Sequence, residues 1–260
     1  MRSWKAGDPK KPVVNREDFI FGTRAVMEAI RNNRSIDKIL IQKGAGNELI
    51  NILLSLIREN NLSFQFVPAE RINRITKKNH QGVLAFLSPI DFADIEIILP
   101  GLFEKAINPL ILILDRITDV RNFGAIARSA ECGGVNAIII PDKGVARIGA
   151  DAVKTSAGAL NYLPVCKSSN LKNTVEFLKN SGIRIVAASE KAGKLYTDIS
   201  MDIPLCIIVG AEDKGISPAI LQLAHEKVKI PLLGNIGSLN VSVAAALMIF
   251  EAVRQRSPKK

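Results

Sequence analysis

The residues of this chain whose types and spacing could do chemistry fall in three short blocks, each opening where an apolar strand gives way to a loop. The first, Asp115-Arg-Ile-Thr-Asp-Val-Arg-Asn-Phe-Gly-Ala-Ile-Ala-Arg-Ser-Ala130, holds Asn122, Gly124 and Arg128. The second, Val209-Gly-Ala-Glu-Asp-Lys-Gly-Ile-Ser217, holds Gly210, Glu212 and Gly215. The third, IPLLGNIGSLNVSVAAA from Ile230 to Ala246, sets Gly234 and Gly237 ahead of Ser238, Leu239 and Asn240. Glycine lets a backbone bend tightly and approach a ligand closely. Ser238 is placed to cap the apolar helix that follows, leaving nearby N–H groups free to hold something polar. The third block therefore reads as a small-molecule cradle made mainly of main chain. Arg128 stands about two helical turns beyond Asn122, among Ala125, Ile126, Ala127 and Ala130. If buried there it needs a partner, and Glu131 or Glu212 is the structural choice. Taken singly, each glycine turn is as readily a structural corner as a functional one.

The elements that must position these blocks are those of an α/β chain. At 260 residues and 47% hydrophobic composition it can build one large domain or two small ones. No apolar run is long enough to span a bilayer, and the opening MRSWKAGDPKKPVVNRED lacks the apolar core of a signal peptide. Cys132, Cys166 and Cys206 are three, widely spaced and in apolar surroundings. They read as buried free thiols of a reducing cytoplasm. With His80 and His225 the only histidines, no histidine-rich metal site is expected. A net charge of +10 favours a polyanionic partner, and 5% aromatic residues argue against a stacking platform for single strands. The charge is clustered. Arg71, Arg74, Lys77 and Lys78 fall at near-helical spacing, and Arg254, Arg256, Lys259 and Lys260 close the sequence.

Residues 1–16 are polar and proline-containing and read as a loose tail. Residues 17–88 alternate short helices and strands: helices at Gly22–Asn32, Glu48–Asn60 and a basic one at Ala69–Lys78, strands at Lys38–Gln42, Ser63–Val67 and Val83–Leu87. Such alternation implies a small α/β sandwich. Pro89, Pro100 and Pro109 break the rhythm, which places a linker at 89–108. Residues 109–256 form the second domain. It opens on Leu110–Leu114, continuously apolar as a parallel strand covered on both faces should be. Strands follow at Ala137–Ile140, Ile183–Ala188 and Leu205–Val209, with helices at Asn122–Cys132, Asp151–Ala159, Leu171–Asn180 and Pro218–Glu226. No GxGxxG follows the first strand, so a nucleoside cofactor would bind near the C-terminal loops.

Taken in this order, the three blocks resemble the SpoU (TrmH) family of RNA 2′-O-ribose methyltransferases, within the SPOUT superfamily. FGTRAVMEAI near the start and His80-Gln81-Gly82 are similar to the family's auxiliary RNA-binding domain, which resembles ribosomal protein L30e. The resemblance covers nearly the whole chain, with one departure: Val120 stands where many relatives have proline before the asparagine loop. It implies a C-terminal α/β domain with a mostly parallel sheet and a deep trefoil knot, an exception to the rule against threaded connections. It also implies a homodimer, S-adenosylmethionine as cofactor and 23S rRNA as substrate, at a guanosine. Carried over by residue, main-chain contacts from Gly210, Ile230 and Leu239 hold the cofactor. Arg128, Asn122, Glu212, Ser238 and Asn240 form the catalytic set.

The implied reaction is an in-line attack of a ribose 2′-hydroxyl on the cofactor's methyl group, which demands alignment and removal of one proton. The family assigns the proton to Arg128. A guanidinium ordinarily stays protonated, so an equally open role is to grip a phosphate and stabilise the developing alkoxide. Arg71, Arg74, Lys77 and Lys78 are read as RNA contacts of the helper domain. His80 and Gln81 read as a structural junction before its last strand, and His225 as a surface residue. The same motifs fit a tRNA or another rRNA site. The other classes of reading are a non-catalytic RNA-binding assembly factor and a plain nucleotide-binding α/β protein.

Overall fold

The computed structural model describes residues 19–60 and 62–257. The expected tail at 1–16, and Lys259 and Lys260, lie outside the described residues. The chain divides into two compact units between Leu87 and Ser88.

The first unit runs β1 (Phe19–Phe21), α1 (Thr23–Arg31), β2 (Ile36–Gln42), α2 (Glu48–Glu59), β3 (Phe64–Val67), α3 (Ala69–Asn73) and β4 (Val83–Leu87). Its sheet has the order β1-β4-β2-β3, with β4 antiparallel to both neighbours and β2 parallel to β3. Asn47 caps α2, its side chain accepting from the Ile50 N–H at 2.9 Å. The buried stripes of α1 (Val26, Met27, Ile30) and α2 (Ile50, Leu53, Ile57) pack on Ile39, Ile41 and Val83, which is the amphipathic spacing at work.

The expected basic helix over 69–78 is only five residues long. The N–H groups of Ile75 and Thr76 both turn back on the Ile72 carbonyl, and the Lys78 N–H goes to Thr76 Oγ1 at 3.3 Å. A threonine hydroxyl that captures a local amide competes with helix propagation. Arg71, Arg74, Lys77 and Lys78 are all exposed, but they do not share one helical face.

The second unit runs β5 (Phe92–Ala93), α4 (Ile95–Glu104), β6 (Leu110–Asp115), α5 (Val120–Cys132), β7 (Ala137–Pro141), α6 (Ala150–Thr155), β8 (Val165–Ser168), α7 (Leu171–Asn180), β9 (Arg184–Ala188), β10 (Lys194–Leu195), β11 (Leu205–Gly210), α8 (Pro218–Leu221), β12 (Glu226–Lys229) and α9 (Val241–Arg256). The sheet order is β10-β12-β9-β11-β6-β7-β8-β5, and every neighbouring pair is parallel. Apolar clusters cover both faces. Leu110, Leu112 and Leu114 join α5 and α9 on one side, and Ile111 and Ile113 join α4 and α7 on the other. The mostly parallel α/β architecture expected for this half is the one found.

The stretch expected as a linker at 89–108 is instead part of this unit. Phe92 and Ala93 pair with β8, and Asp94 caps α4 by accepting from the Glu96 N–H at 2.9 Å. Pro100 sits inside that helix, where the proline pattern had signalled a break. Pro218–Glu226 is likewise not one helix: α8 stops at Leu221, and Glu226–Lys229 forms β12 beside β9. Of that strand's four residues only Val228 is buried, so the charged EKVK sequence carries little strand signal. Cys166 and Cys206 are buried, but Cys132 is exposed at the end of α5, off the face formed by Phe123, Ile126, Ala127 and Ala130.

Two glycines of the second unit are fixed by packing. A Cβ at Gly124 would stand 2.6 Å from Thr155 Cβ, so α5 and the end of α6 meet there without a side chain between them. At Gly133 a Cβ would run into Ile249, where α5 meets α9. At the C-terminal end, Arg254 pairs with the buried Glu251 through two hydrogen bonds of 2.8 and 2.7 Å. Arg256 donates to the carbonyls of Met201, Asn108, Pro109 and Ile203. Arg254 is thus paired within α9 itself, whereas Arg256 ties the end of α9 to the loops before β6 and β11. None of the described helices is long and apolar enough to cross a membrane.

Candidate active site

The three blocks converge at the C-terminal edge of the parallel sheet, where open α/β sheets place their ligands. Residues Ala188–Lys191 at the end of β9, Val209–Gly215 at the end of β11, and Ile230, Leu232, Gly237–Leu239, Val241 and Ala244 line a cleft of about 280 Å³. Gly210, Ile230, Leu239 and Ser238 are all on its wall, as is Glu212. Among its apolar lining are Ala188, Val209, Leu232 and Val241. The loop from Pro231 to Ser238 is exposed throughout.

The second block makes a tight return. The Gly215 N–H donates to the Ala211 carbonyl at 2.7 Å, with Gly215 itself in the left-handed region at φ 61°. A Cβ on Gly210 would collide with the backbone of Gly215 and Ile216. Glycine is therefore required at 210 by the chain's own return, before any ligand is considered. β6 fastens this loop from below. Asp115, nearly fully buried, accepts from the Ser217 N–H at 2.6 Å. Arg116, in the left-handed region at φ 64°, donates from Nη2 to the Gly215 carbonyl at 3.1 Å.

Glu212 links all three blocks. Its Oε1 accepts from Asn240 Nδ2 at 2.6 Å, from Asn122 Nδ2 at 3.2 Å and from the Val241 N–H at 3.2 Å. Asn240 Nδ2 also donates to Asn122 Oδ1 at 3.0 Å. Three residues separated by 90, 118 and 28 positions thus close one hydrogen-bonded ring. Asn240, not Ser238, caps α9: its side chain accepts from the Ser242 N–H at 2.9 Å. Asp119 caps α5 by accepting from the Arg121 N–H at 2.7 Å. Val120 therefore occupies the first helical position, where proline is also favoured.

A second, smaller cavity of about 160 Å³ lies on the other side of the same wall. Its lining includes Arg116, Thr118, Asp119, Asn122, Glu212 and Asp213. Ala211, Glu212, Asp213 and Val241 face both cavities.

Arg128 stands apart. It is exposed on α5, pairs with neither Glu131 nor Glu212, and lines neither cavity. Arg121, Gly124 and Arg128 share one helical face by their spacing, so the two arginines flank the contact between Gly124 and Thr155.

In the first unit, His80 Nδ1 accepts from the Gly82 N–H at 3.0 Å, leaving Nε2 to donate to Asn73 Oδ1 at 2.9 Å. Both ring nitrogens are thus engaged in tying the 79–82 turn to α3. Lys78 Nζ lies 6.0 Å from the Phe21 ring centroid. His225 is exposed, but its Nδ1 accepts from the Ile185 N–H at 2.9 Å. Partial burial, with Lys179 and Arg184 nearby, holds it below the usual histidine range. Among the described residues no group of three or more His, Cys, Asp or Glu could hold a metal ion.

Residues 109–250 match the SpoU rRNA methylase family, and residues 19–93 match the family described as RNA 2′-O ribose methyltransferase substrate binding. This chain belongs to the SpoU rRNA methylase family. It is an RNA methyltransferase. A putative TrmH family tRNA/rRNA methyltransferase of Staphylococcus haemolyticus is 35% identical over 241 residues, covering 92% of this chain and 97% of the relative. The SpoU methyltransferase AviRb of Streptomyces viridochromogenes, solved in complex with AdoMet, aligns with a TM-score of 0.57 and 25% identity, over 92% of this chain and 90% of that one. A TrmH/SpoU tRNA modifying enzyme of A. aeolicus aligns with a TM-score of 0.53 and 30% identity, over 57% of this chain and 76% of that one.

Proposed function

We propose that this methyltransferase moves the methyl group of S-adenosylmethionine to a ribose 2′-hydroxyl of RNA, at a guanosine of 23S rRNA, as a cytoplasmic homodimer. The observation that carries the reading is the ring of Asn122, Glu212 and Asn240, which brings the three blocks together and meets the cleft through Glu212. The cleft itself suits the cofactor: about 280 Å³ with apolar side chains and a main-chain rim, close to the ~300 Å³ lower end of small-molecule sites. Gly210, Ile230 and Leu239 would hold it there through main chain, with Ser238 at the rim.

S-adenosylmethionine supplies a methyl group on a sulfonium, a leaving group that needs no acid. The chain's own residues supply alignment. Glu212, held by two amides and one N–H, fixes the wall between the two cavities. Asn122 and Asn240 present it from the first and third blocks. Arg128, exposed and with no hydrogen bond or ion pair among the described residues, suits an RNA phosphate.

In the first unit, Arg71, Arg74, Lys77 and Lys78 would meet the RNA backbone, since all four side chains are exposed. Dimerisation is supported by α9, where Val243, Leu247 and Phe250 repeat at helical spacing and all stand exposed. A trefoil knot is supported by the path of the chain. It leaves β12 beyond β9 and returns to set α9 against α5 and β11.

Purified protein given radiolabelled S-adenosylmethionine and rRNA from a strain lacking the gene tests the reading. Label retained in alkali-resistant dinucleotides is the expected result, because alkaline cleavage needs a free 2′-hydroxyl. Label released as a methylated base, or no transfer, contradicts it.

A further inference from the structure

The first unit carries a cavity that phosphate contacts alone do not account for. It is open, about 590 Å³, and lies where the end of β2 meets the turn between α3 and β4. Gln42, Asn73, Asn79, His80 and Gln81 line it together with Lys77 and Lys78. No carboxylate and no large apolar side chain is on its wall. Its size lies within the roughly 300–1,000 Å³ of small-molecule sites.

The turn is fixed by its own bonds. The Gln42 N–H donates to the Gly82 carbonyl at 2.7 Å, the Val83 N–H to the His80 carbonyl at 2.9 Å, and the Gly82 N–H to His80 Nδ1 at 3.0 Å. Gln81 and Gly82 both stand in the left-handed region, at φ 51° and 76°. Gly82 is buried against the end of β2, where an added Cβ would stand 3.3 Å from Gln42 Cβ. Gln81 is another matter. A side chain other than glycine in this region costs energy, yet Gln81 is exposed and its carboxamide has no hydrogen bond with any described residue. The carboxamide of Gln42 is likewise unengaged among the described residues. The fold thus holds an outlying backbone at the cavity without using the amide it carries.

Amides and cations recognise different parts of a nucleic acid. Lys77 and Lys78 suit phosphate, whereas a carboxamide offers a donor and an acceptor side by side, the pattern of a base edge. His80 spends Nε2 on Asn73 and Nδ1 on Gly82. What the imidazole has left for a ligand is its ring face, on which an unstacked base can lie. We propose that this cavity takes one unpaired base of the RNA substrate, its edge read by the Gln42 and Gln81 amides and its flanking phosphates held by Lys77 and Lys78. The inference deepens the functional reading given above, in which the first unit binds RNA. It makes this turn the place where that unit reads sequence, while the exposed Arg71 and Arg74, which do not line the cavity, contribute affinity without selection.

The test uses the full-length protein and pooled rRNA and tRNA from a strain lacking the gene, probed with reagents that modify the Watson–Crick edges of unpaired bases. The wild-type protein should shield one such base that Gln42→Met leaves reactive. Methionine matches glutamine in length and removes both hydrogen-bonding atoms without changing charge. Gln81→Asn is the second variant, since asparagine tolerates the left-handed region but falls one methylene short. On an RNA fragment spanning the footprint, each variant should bind about 5- to 100-fold more weakly, with an unchanged salt slope. Lys77→Met should instead lower that slope by about one unit. Replacing the shielded base with an abasic site should weaken wild-type binding to a similar degree and cost Gln42→Met little more, because the two changes remove one interaction. Wild-type affinity and footprint in both variants, fully additive losses, or an altered salt slope in Gln42→Met overturns the inference. So does a wild-type protein that shields no unpaired base. Methyl transfer measured in parallel judges the functional reading by itself: 2′-O-methylation alongside an unaffected Gln42→Met footprint leaves that reading standing and removes only the base pocket.

Discussion

Asn240 Nδ2 donates to Glu212 Oε1 at 2.6 Å while the Asn240 side-chain oxygen caps α9 at the Ser242 N–H. One side chain therefore both starts the last helix and completes the ring at the cleft wall. The two duties separate in Asn240→Asp. Aspartate caps a helix as well as asparagine does, but it sets a second carboxylate against Glu212 with no proton to share. Methyl transfer should fall by at least about tenfold, since hydrogen bonds to charged groups are worth ~1.5–3 kcal/mol. The thermal unfolding midpoint should fall as well, because the same bond is lost from the folded state, so kcat is compared where both proteins are fully folded. Wild-type kcat in this variant would remove the ring from the mechanism.

Arg128→Ala should nearly abolish methyl transfer at saturating cofactor and leave S-adenosylmethionine affinity intact, as calorimetry would read, because Arg128 lies outside the cleft proposed for the cofactor. Arg128→Lys refines the role. Appreciable activity points to charge alone, and its loss points to a bidentate phosphate grip.

Neutralising Arg71, Arg74, Lys77 and Lys78 together should weaken RNA binding and flatten its dependence on salt, because each lost phosphate contact removes about one unit from the slope of log affinity against log salt. Cofactor affinity should not change. RNA binding measured across a salt series decides; an unchanged slope means the four cations are merely solvated.

Gly210→Ala should destabilise the second unit by roughly 1–3 kcal/mol, the usual range for forcing atoms into a packed site. The added methyl meets backbone at Gly215 and Ile216, so the loop must open. Loss of cofactor binding in that variant would report a broken loop; it would not identify a contact. Denaturant unfolding distinguishes the two, and wild-type stability would contradict the packing described here.

Thiol labelling of the native protein should modify Cys132 and spare the other two. Burial pushes the Cys166 thiol up to about 12 and Cys206 higher still, which keeps both as unreactive thiols. Mass spectrometry after a short maleimide pulse would read this directly. On the acid side, hydrogen bonding to Arg254 holds Glu251 below the usual carboxylate range. Its contribution to stability is present above the unfolded pKa of about 4.3 and is lost as pH falls through the folded value. Glu251→Gln should blunt that acid sensitivity.

The parallel sheet of the second unit was legible because its inner strands are covered on both faces and read as unbroken apolar runs, as in Leu110–Leu114. The edge strands were not. Lys194–Leu195 and Glu226–Lys229 are short and charged, and only their neighbours make them strands. The segment 89–108 misled through its prolines, because Pro100 sits inside a helix whose Ile95 and Leu99 are buried in the core of the second unit. At the site, residue types located the three blocks, and Gly210, Ile230, Ser238 and Leu239 line one cleft. Sequence did not reveal that Gly210 answers to the chain's own return, that Asn240 takes the cap expected of Ser238, or that Asp213 faces two cavities. Those facts depend on three-dimensional proximity between residues far apart in the chain.

Whether the protein places a methyl group on a ribose hydroxyl of RNA is read by position-by-position mapping of 2′-O-methyl groups in rRNA and tRNA from a deletion strain. One ribose methyl should be missing, at a guanosine of 23S rRNA, and should return when the purified protein and S-adenosylmethionine are added to that RNA. An unchanged ribose methylation map in the deletion strain would contradict it.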